Sequence, residues 1–435
     1  MKKSSTCTRC AGRSSSSASS EPMTNSPAGI SASSGNRSAD IRRQENSAPA
    51  LFDYTGAMKL ETFALERLQS TWENRVAWNL SESGVQPLRL MELADTEALR
   101  DAVLAQELGY PQTNGTAALR TAIAALYDGA TPDHVQVTNG GSEANCVVLM
   151  HLVEPGDEIV VMTPVYMQAW GLARALGGAV KAWPLRTVGD GAAARWRPDV
   201  EALRALVTAK TRAIVICNPN NPTGARIDAA TLDEIARVAA RTDAWIVSDE
   251  IYRGAEREAD ETPTMWGRSE RVIVTSGLSK AYGLPGLRIG WVVAPPATID
   301  ALWSIHDYTT IAPGAINDRV AAMALTPGRR ERLLARTRAI IRTNYPLVAG
   351  WAERHGLTHV PPEAGAIAYL RYPGDVNSTA LVTRLREERG VLIVPGDHFE
   401  MDGYLRVGFG SDPAHLTNAL ARAGDFLESA LGARK

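Results

Sequence analysis

Residues 274–291 read V-T-S-G-L-S-K-A-Y-G-L-P-G-L-R-I-G-W, with Lys280 near the centre. An apolar, strand-like run (Val272, Ile273, Val274) leads in, and Trp291, Val292 and Val293 form a second one after it. Gly277, Ser279, Ala281 and Gly283 flank the lysine with small residues, which let a bulky group approach its amine. Among apolar neighbours an amine loses hydration, so the expectation is a lowered pKa and a nucleophilic Lys280. Such an amine forms a Schiff base with an aldehyde. The same residues also suit a surface lysine in a strand-to-loop turn, and the stretch alone does not separate the two.

Outward from the lysine the chain alternates. Short apolar strands at 135–138, 159–162, 213–217, 245–248, 272–275 and 289–293 are interleaved with helical segments at 119–127, 140–151, 166–176 and 233–240. This is an α/β pattern: a large domain with a mostly parallel, seven-stranded-type sheet flanked by helices. Ligands of such sheets bind outside the carboxyl ends of the strands. After Trp303 the pattern changes to a long helical stretch at 317–350, short strands at 367–370, 391–394 and 404–409, and helices at 379–388 and from Ala414 onward. This reads as a smaller α+β domain. An amphipathic helix at 63–78 is expected to join it, and another helix is expected at 88–108 with Asp95 as its cap. The expected division is a Ser-rich tail at 1–57, an N-terminal segment at 58–94 packing with the small domain, a large domain at 95–310 and a small C-terminal domain at 311–435.

Composition narrows the function. The chain is 45% hydrophobic and 22% charged, and its formal charge of −2 gives no general attraction to nucleic acid or to an anionic membrane. No apolar run approaches the ~20 residues that span a bilayer. Cys146 and Cys217 lie in apolar contexts, as buried free thiols of a reducing, cytoplasmic compartment would. Residues 1–57 show no hydrophobic period and read as disordered. Their basic start (Lys2, Lys3, Arg9, Arg13) lacks the apolar core of a secretory signal. Cys7-x-x-Cys10 has no second ligand pair nearby, so no metal is expected.

Four further motifs follow strand ends. Gly140-Gly141-Ser142-Glu143-Ala144 opens a helix, and its amides and hydroxyl suit an anion or a plain helix cap. Asn218-Pro219-Asn220-Asn221-Pro222-Thr223-Gly224 sets an irregular loop, where Asn221 offers a donor to a phenolate or carboxylate. In Ser248-Asp249-Glu250-Ile251-Tyr252, Asp249 suits a protonated ring nitrogen and Tyr252 a ring oxygen, while a helix-capping aspartate fits the same pattern. Arg406, in Tyr404-Leu-Arg-Val-Gly-Phe, pairs with a substrate carboxylate if it faces inward.

Together, N-N-P-T-G, S-D-E-I-Y, S-K-A-Y-G-L-P-G-L-R and Y-L-R-V-G, in this order, resemble the fold type I pyridoxal-phosphate-dependent enzymes of the aspartate-aminotransferase-like class I/II family, over about residues 60–430. The resemblance implies pyridoxal 5'-phosphate as cofactor and Lys280 as the lysine bonded to it. It implies that Arg288, Gly141, Ser142 and the neighbouring Ser279 hold the phosphate, and that Tyr166 stacks on the ring. Asn221 and Tyr252 would contact the phenolic oxygen, Asp249 the ring nitrogen, and Arg406, with Asn221 and Gly84, the substrate. Tyr110, in Gly-Tyr-Pro, resembles the tyrosine that reaches the neighbouring subunit's phosphate, so a homodimer is implied.

The sequence departs from the family pattern at two places. The serine usual three residues before the lysine is Gly277, with Ser276 and Ser279 beside it. No arginine stands in 306–314 to read a second carboxylate. The side-chain pocket is expected from 79–84 and 306–310, which carry Glu82, Asp307 and Tyr308, and neutral or basic donors are expected over aspartate. The activity implied is transfer of an amino group from an L-amino acid to a 2-oxo acid. Elimination, cyclisation or oxidation of an amino acid on the same fold is the alternative.

Overall fold

The computed structural model describes residues 59–258 and 260–432. The expected disordered tail, with Cys7 and Cys10, lies outside the described residues.

Fourteen strands are present among the described residues. They are β1 (Trp78–Asn79), β2 (Val135–Thr138), β3 (Glu158–Thr163), β4 (Ala179–Val188), β5 (Arg195–Pro198), β6 (Thr211–Cys217), β7 (Trp245–Asp249), β8 (Val272–Gly277), β9 (Gly290–Val293), β10 (Thr358–His359), β11 (Ile367–Arg371), β12 (Val391–Leu392), β13 (Val394–Pro395) and β14 (Tyr404–Gly408). The large sheet runs β2-β9-β8-β7-β6-β3-β4-β5. The pairs β8–β7, β7–β6, β6–β3 and β3–β4 are parallel, and β9 runs antiparallel to both β8 and β2. Strands β6 and β8 are buried along nearly their whole length because helices cover both faces.

The sheet has eight strands, one more than the seven-stranded type expected. The two strands that the six ranges placed from sequence leave out, β4 and β5, form an antiparallel hairpin at the edge. Its exposed residues alternate with Trp183, Leu185 and Trp196, and Pro184 sits among them, so no continuous apolar run marks it.

A second sheet, β10-β11-β14-β13, is antiparallel throughout and carries Arg406 on β14. The N-terminal segment reaches this part of the chain through parallel pairing of β1 with β12. The backbone continues as a clamp: Leu392 O accepts from Leu80 N at 2.8 Å, and Leu80 O accepts from Gly408 N at 2.7 Å. Glycine is required at 408 and 410, where an added Cβ would collide with the carbonyls of Glu82 and Gly84. This close approach seats residues 80–84 over the end of β14.

Two expected long helices are each broken in two. The segment 88–108 forms Leu90–Leu93 and Glu97–Leu104. The cap of the second is Thr96, whose hydroxyl accepts from Leu99 N, rather than Asp95, which binds Arg329 at 2.9 Å and Arg332 at 3.3 Å. The stretch 317–350 belongs to Ala315–Ala324 and Pro327–Arg354, because Pro327 disfavours helical backbone at Thr326 and then starts a new helix. The amphipathic N-terminal helix is shorter than expected, Ala64–Trp72.

Candidate active site

Parallel register gathers the site. Cys217 lies beside Asp249 across β6–β7, and Asp249 beside Thr275 across β7–β8. The loops leaving these strand ends carry Asn221, Tyr252 and Lys280, so residues far apart in sequence converge on one cleft.

Asp249 is half-buried. Its carboxylate accepts from Ile251 N at 3.0 Å and from Asn145 Nδ2 at 3.1 Å. Burial pushes its pKa up, and these two donors oppose that. Asn145 is itself oriented by the Thr275 hydroxyl, which donates to Asn145 Oδ1 at 2.6 Å. Sequence reading missed Asn145 and Thr275. The available signal was position: Asn145 lies one turn into the helix opened by Gly140-Gly141. A small cavity bordered by Asp249, Asn145 and Tyr166 lies against β6 and β7. The Tyr166 hydroxyl donates to Glu66 at 2.8 Å, and its ring lies 4.9 Å from that of Phe63.

Lys280 departs from the expectation. Its Nζ donates to Glu82 Oε1 at 2.8 Å. Burial pulls the amine's pKa down, but the Glu82 carboxylate and the Tyr252 hydroxyl outweigh it, and the pKa is raised rather than lowered. The apolar neighbours in sequence are therefore not what sets its protonation. Glu82 accepts from Ser83 N and Gly84 N at 2.8 and 2.7 Å through the same oxygen, and the Lys280 charge above all holds its pKa down to about 2. Gly84 lies against the lysine stem: a Cβ there would sit 3.6 Å from Lys280 Cδ.

Arg406 faces inward and is 1% exposed. Its Nη1 donates to Asn221 Oδ1 at 3.0 Å, its Nη2 to the Ser81 carbonyl, and its Nε has no partner among the described residues. The Tyr252 hydroxyl, on a residue 3% exposed, is likewise unpartnered there. Buried donors left open in this way call for an acceptor from outside the chain.

The helix Gly141–Leu152 starts beside this group, and Gly140 before it has φ 94°. The Arg288 guanidinium lies over Gly140, where an added Cβ would collide with it. First-turn amides of Gly141 and Ser142 together with Arg288 make an anion cradle. Gly277 has no room for a side chain, because a Cβ would lie 2.8 Å from Ile289 O. Ser276 is turned away, donating to Glu250 O at 3.2 Å. Ser279 remains, half-buried next to the lysine.

Two expected contributors lie elsewhere. His306 is fully buried, 3.5 Å from Glu143, and Thr310 donates to the same carboxylate at 2.8 Å. The 306–310 turn is thus tied to the start of the Gly141–Leu152 helix, while Asp307 and Tyr308 point to solvent, so it does not line the cleft with Glu82. Tyr110 is 88% exposed and borders a separate cavity of about 890 Å³ with Arg319 and Met323. Cys217 is buried, but Cys146 is only half-buried.

A lysine, a strand-end carboxylate, a helix-start anion cradle and an inward arginine, set on this sheet, define a pyridoxal-phosphate-dependent enzyme of fold type I. The chain belongs to the aminotransferase class I and II family, whose profile matches residues 93–422. It is 34% identical over 309 residues to a capreomycidine synthase of Streptomyces vinaceus, covering 71% of this chain and 78% of that one. It is 29% identical over 302 residues to an aspartate aminotransferase of Thermotoga maritima, covering 69% and 77%. Its fold matches a pyridoxal-phosphate-dependent aminotransferase structure from Streptococcus suis with a TM-score of 0.78 at 33% identity, over 85% of this chain and 98% of that one.

The cofactor is pyridoxal 5'-phosphate, and the residues present fit it. The cradle matches its phosphate, Asp249 a cationic ring nitrogen, and the open Tyr252 hydroxyl a ring oxygen. Among the described residues no cluster of metal ligands occurs, and no helix is long and apolar enough to cross a membrane.

Proposed function

We propose that the chain transfers an amino group from an L-amino acid to a 2-oxo acid. The carrying observation is Arg406: a fully buried guanidinium with an open Nε, joined to Asn221 in the cleft of Lys280, is what an α-carboxylate needs. When bound, the cofactor supplies an aldehyde for Lys280 and a sink for the electrons left at the substrate Cα. Lys280 holds the cofactor and then moves the proton at Cα. Asp249, oriented by Asn145, keeps a proton on the ring nitrogen. Tyr252 and Asn221 hold the phenolic oxygen, Tyr166 covers the ring, and Gly141, Ser142, Ser279 and Arg288 hold the phosphate. Incubation with one donor and one acceptor tests this: 2-oxo acid and new amino acid should rise together, and ammonia without new amino acid would refute it.

A second reading, elimination or ring closure of an amino acid, is favoured by Glu82. Its carboxylate at the lysine amine is a charged contact that simple amino transfer does not need, and the 34% identical relative is a capreomycidine synthase. A cyclic or ammonia-releasing product would decide for it.

We also propose that the described residues of the expected 58–94 and 311–435 segments form a smaller domain beside a large domain made of those in 95–310. Two copies associate through the exposed Tyr110 face, where Tyr110 reaches the neighbour's phosphate; Tyr110→Phe should weaken cofactor binding, and a monomer at micromolar concentration would refute the association. The free thiols Cys146 and Cys217 suit the cytoplasm, which fractionation tests.

A further inference from the structure

The cleft is short of cations and rich in carboxylates once its known tasks are assigned. Lys280 is committed to the cofactor and Arg406 to the α-carboxylate. Around Lys280 stand Glu82 from the 80–84 segment, Tyr252 from the loop after β7 and Arg406 from β14, and Glu73, just after the Ala64–Trp72 helix, feels the charges of Glu82 and Lys280. Glu66, on the first turn of that helix, accepts from the Tyr166 hydroxyl at 2.8 Å. Burial, then the charges of Glu82 and Glu66, raise the Glu73 pKa, so the three carboxylates share one electrostatic environment.

Glu82 is built to stay ionised and to change partners. One oxygen is held by the Ser83 and Gly84 amides and by Lys280, while the side chain remains 45% exposed. Its backbone neighbour Ser81 binds Arg406, whose open Nε and 1% exposure mark where a substrate's carboxylate sits. Ser81 on Arg406 therefore sets Glu82 one residue along the chain from that carboxylate site, against the Lys280 amine. When Lys280 takes up the cofactor, Glu82 loses its cation and keeps its two amide donors.

A carboxylate 2.8 Å from the lysine also keeps its amine protonated, and an ammonium cannot take a proton from the substrate. A cation arriving on the substrate side chain removes that brake by drawing Glu82 away.

Resting on the amino-acid reading of the site, we propose that Glu82 is the counter-ion for a distal guanidinium or ammonium on the substrate side chain, and that binding this cation releases Lys280 to act as base. The substrate class is therefore a basic amino acid. A neutral donor leaves Glu82 on the lysine, and a dicarboxylate is repelled.

Spectral titration of the holoenzyme with arginine, lysine, methionine and aspartate tests this, since cofactor absorbance reports binding whatever product follows. Arginine or lysine should bind at least tenfold tighter than methionine, and the arginine-to-lysine ratio separates guanidinium from ammonium recognition. Glu82→Gln should lower the cation-to-methionine ratio at least tenfold, and Glu82→Asp should restore part of it. In cofactor-free protein, pH-dependent acylation of Lys280 read by mass spectrometry should begin at lower pH in Glu82→Gln than in wild type. Wild-type enzyme that binds methionine as tightly as arginine overturns the proposal without any variant. An unchanged ratio in Glu82→Gln, or equal weakening of all donors with no recovery in Glu82→Asp, overturns it too. Cation selectivity with ammonia or a cyclic product would keep this proposal and reject amino transfer; new amino acid formed without cation selectivity would do the reverse.

Discussion

Asn145→Ala isolates the part of the site that no motif announces. Asn145 gives the Asp249 carboxylate one of the two hydrogen bonds it accepts among the described residues and is itself fixed by Thr275. A hydrogen bond to a charged acceptor contributes about 1.5–3 kcal/mol. At about 1.4 kcal/mol per pKa unit, its loss raises the Asp249 pKa by roughly 1–2 units. The sign is set by which form the donor stabilises. Asn145 stabilises the ionised carboxylate against burial, so its removal disfavours ionisation. The ionised form is the one that holds a protonated ring nitrogen. The acid limb of kcat/KM should therefore move to higher pH by up to about 1–2 units, and cofactor affinity should fall about 10–100-fold. Absorbance titration of the cofactor-free variant gives the affinity, a rate profile gives the limb, and thermal unfolding shows that the variant is folded. Thr275→Val should move both quantities the same way by less. A folded Asn145→Ala protein with cofactor Kd within twofold of wild type and an unmoved acid limb would refute this reasoning.

Other elements of the site make separate forecasts. Arg406→Lys keeps the charge and loses the fork, so KM for both amino and 2-oxo acid should rise about 10–100-fold, while cofactor affinity changes little; a loss confined to cofactor affinity would contradict the carboxylate role. Gly140→Ala should weaken pyridoxal 5'-phosphate binding about tenfold or more, because φ 94° is strained for alanine and its Cβ displaces Arg288. Phosphate-free pyridoxal should be affected much less, and equal loss for both would show general damage instead of a disturbed cradle.

How much could be read without coordinates follows from where each signal resides. Asn221, Asp249 and Lys280 were legible because parallel strands deliver their following loops to one edge, and each of these residues stands just after an apolar run. Arg406 was ambiguous as a strand residue, and its burial comes from residues 80–84 folding over β14. Lys280 shows the limit most clearly. Its small and apolar neighbours argued for a depressed pKa, but its protonation is set by Glu82, 198 residues away in sequence. Asn145 left no mark because a polar residue on a helix is ordinary until a strand end is placed under it. The β4–β5 hairpin was missed because its strands are half in solvent. The helix breaks at Thr96 and Pro327 were missed, although a capping threonine and a proline stand at them.

Borohydride reduction of the cofactor-loaded protein, followed by peptide mapping, tests the central claim most directly. The holoenzyme should be yellow, reduction should bleach it, and the cofactor's mass should appear on Lys280 and on no other lysine. Lys280→Ala should acquire no label and show no turnover. A label on a different lysine, or a reduced protein that carries none, would contradict the assignment of Lys280 and the site built around it.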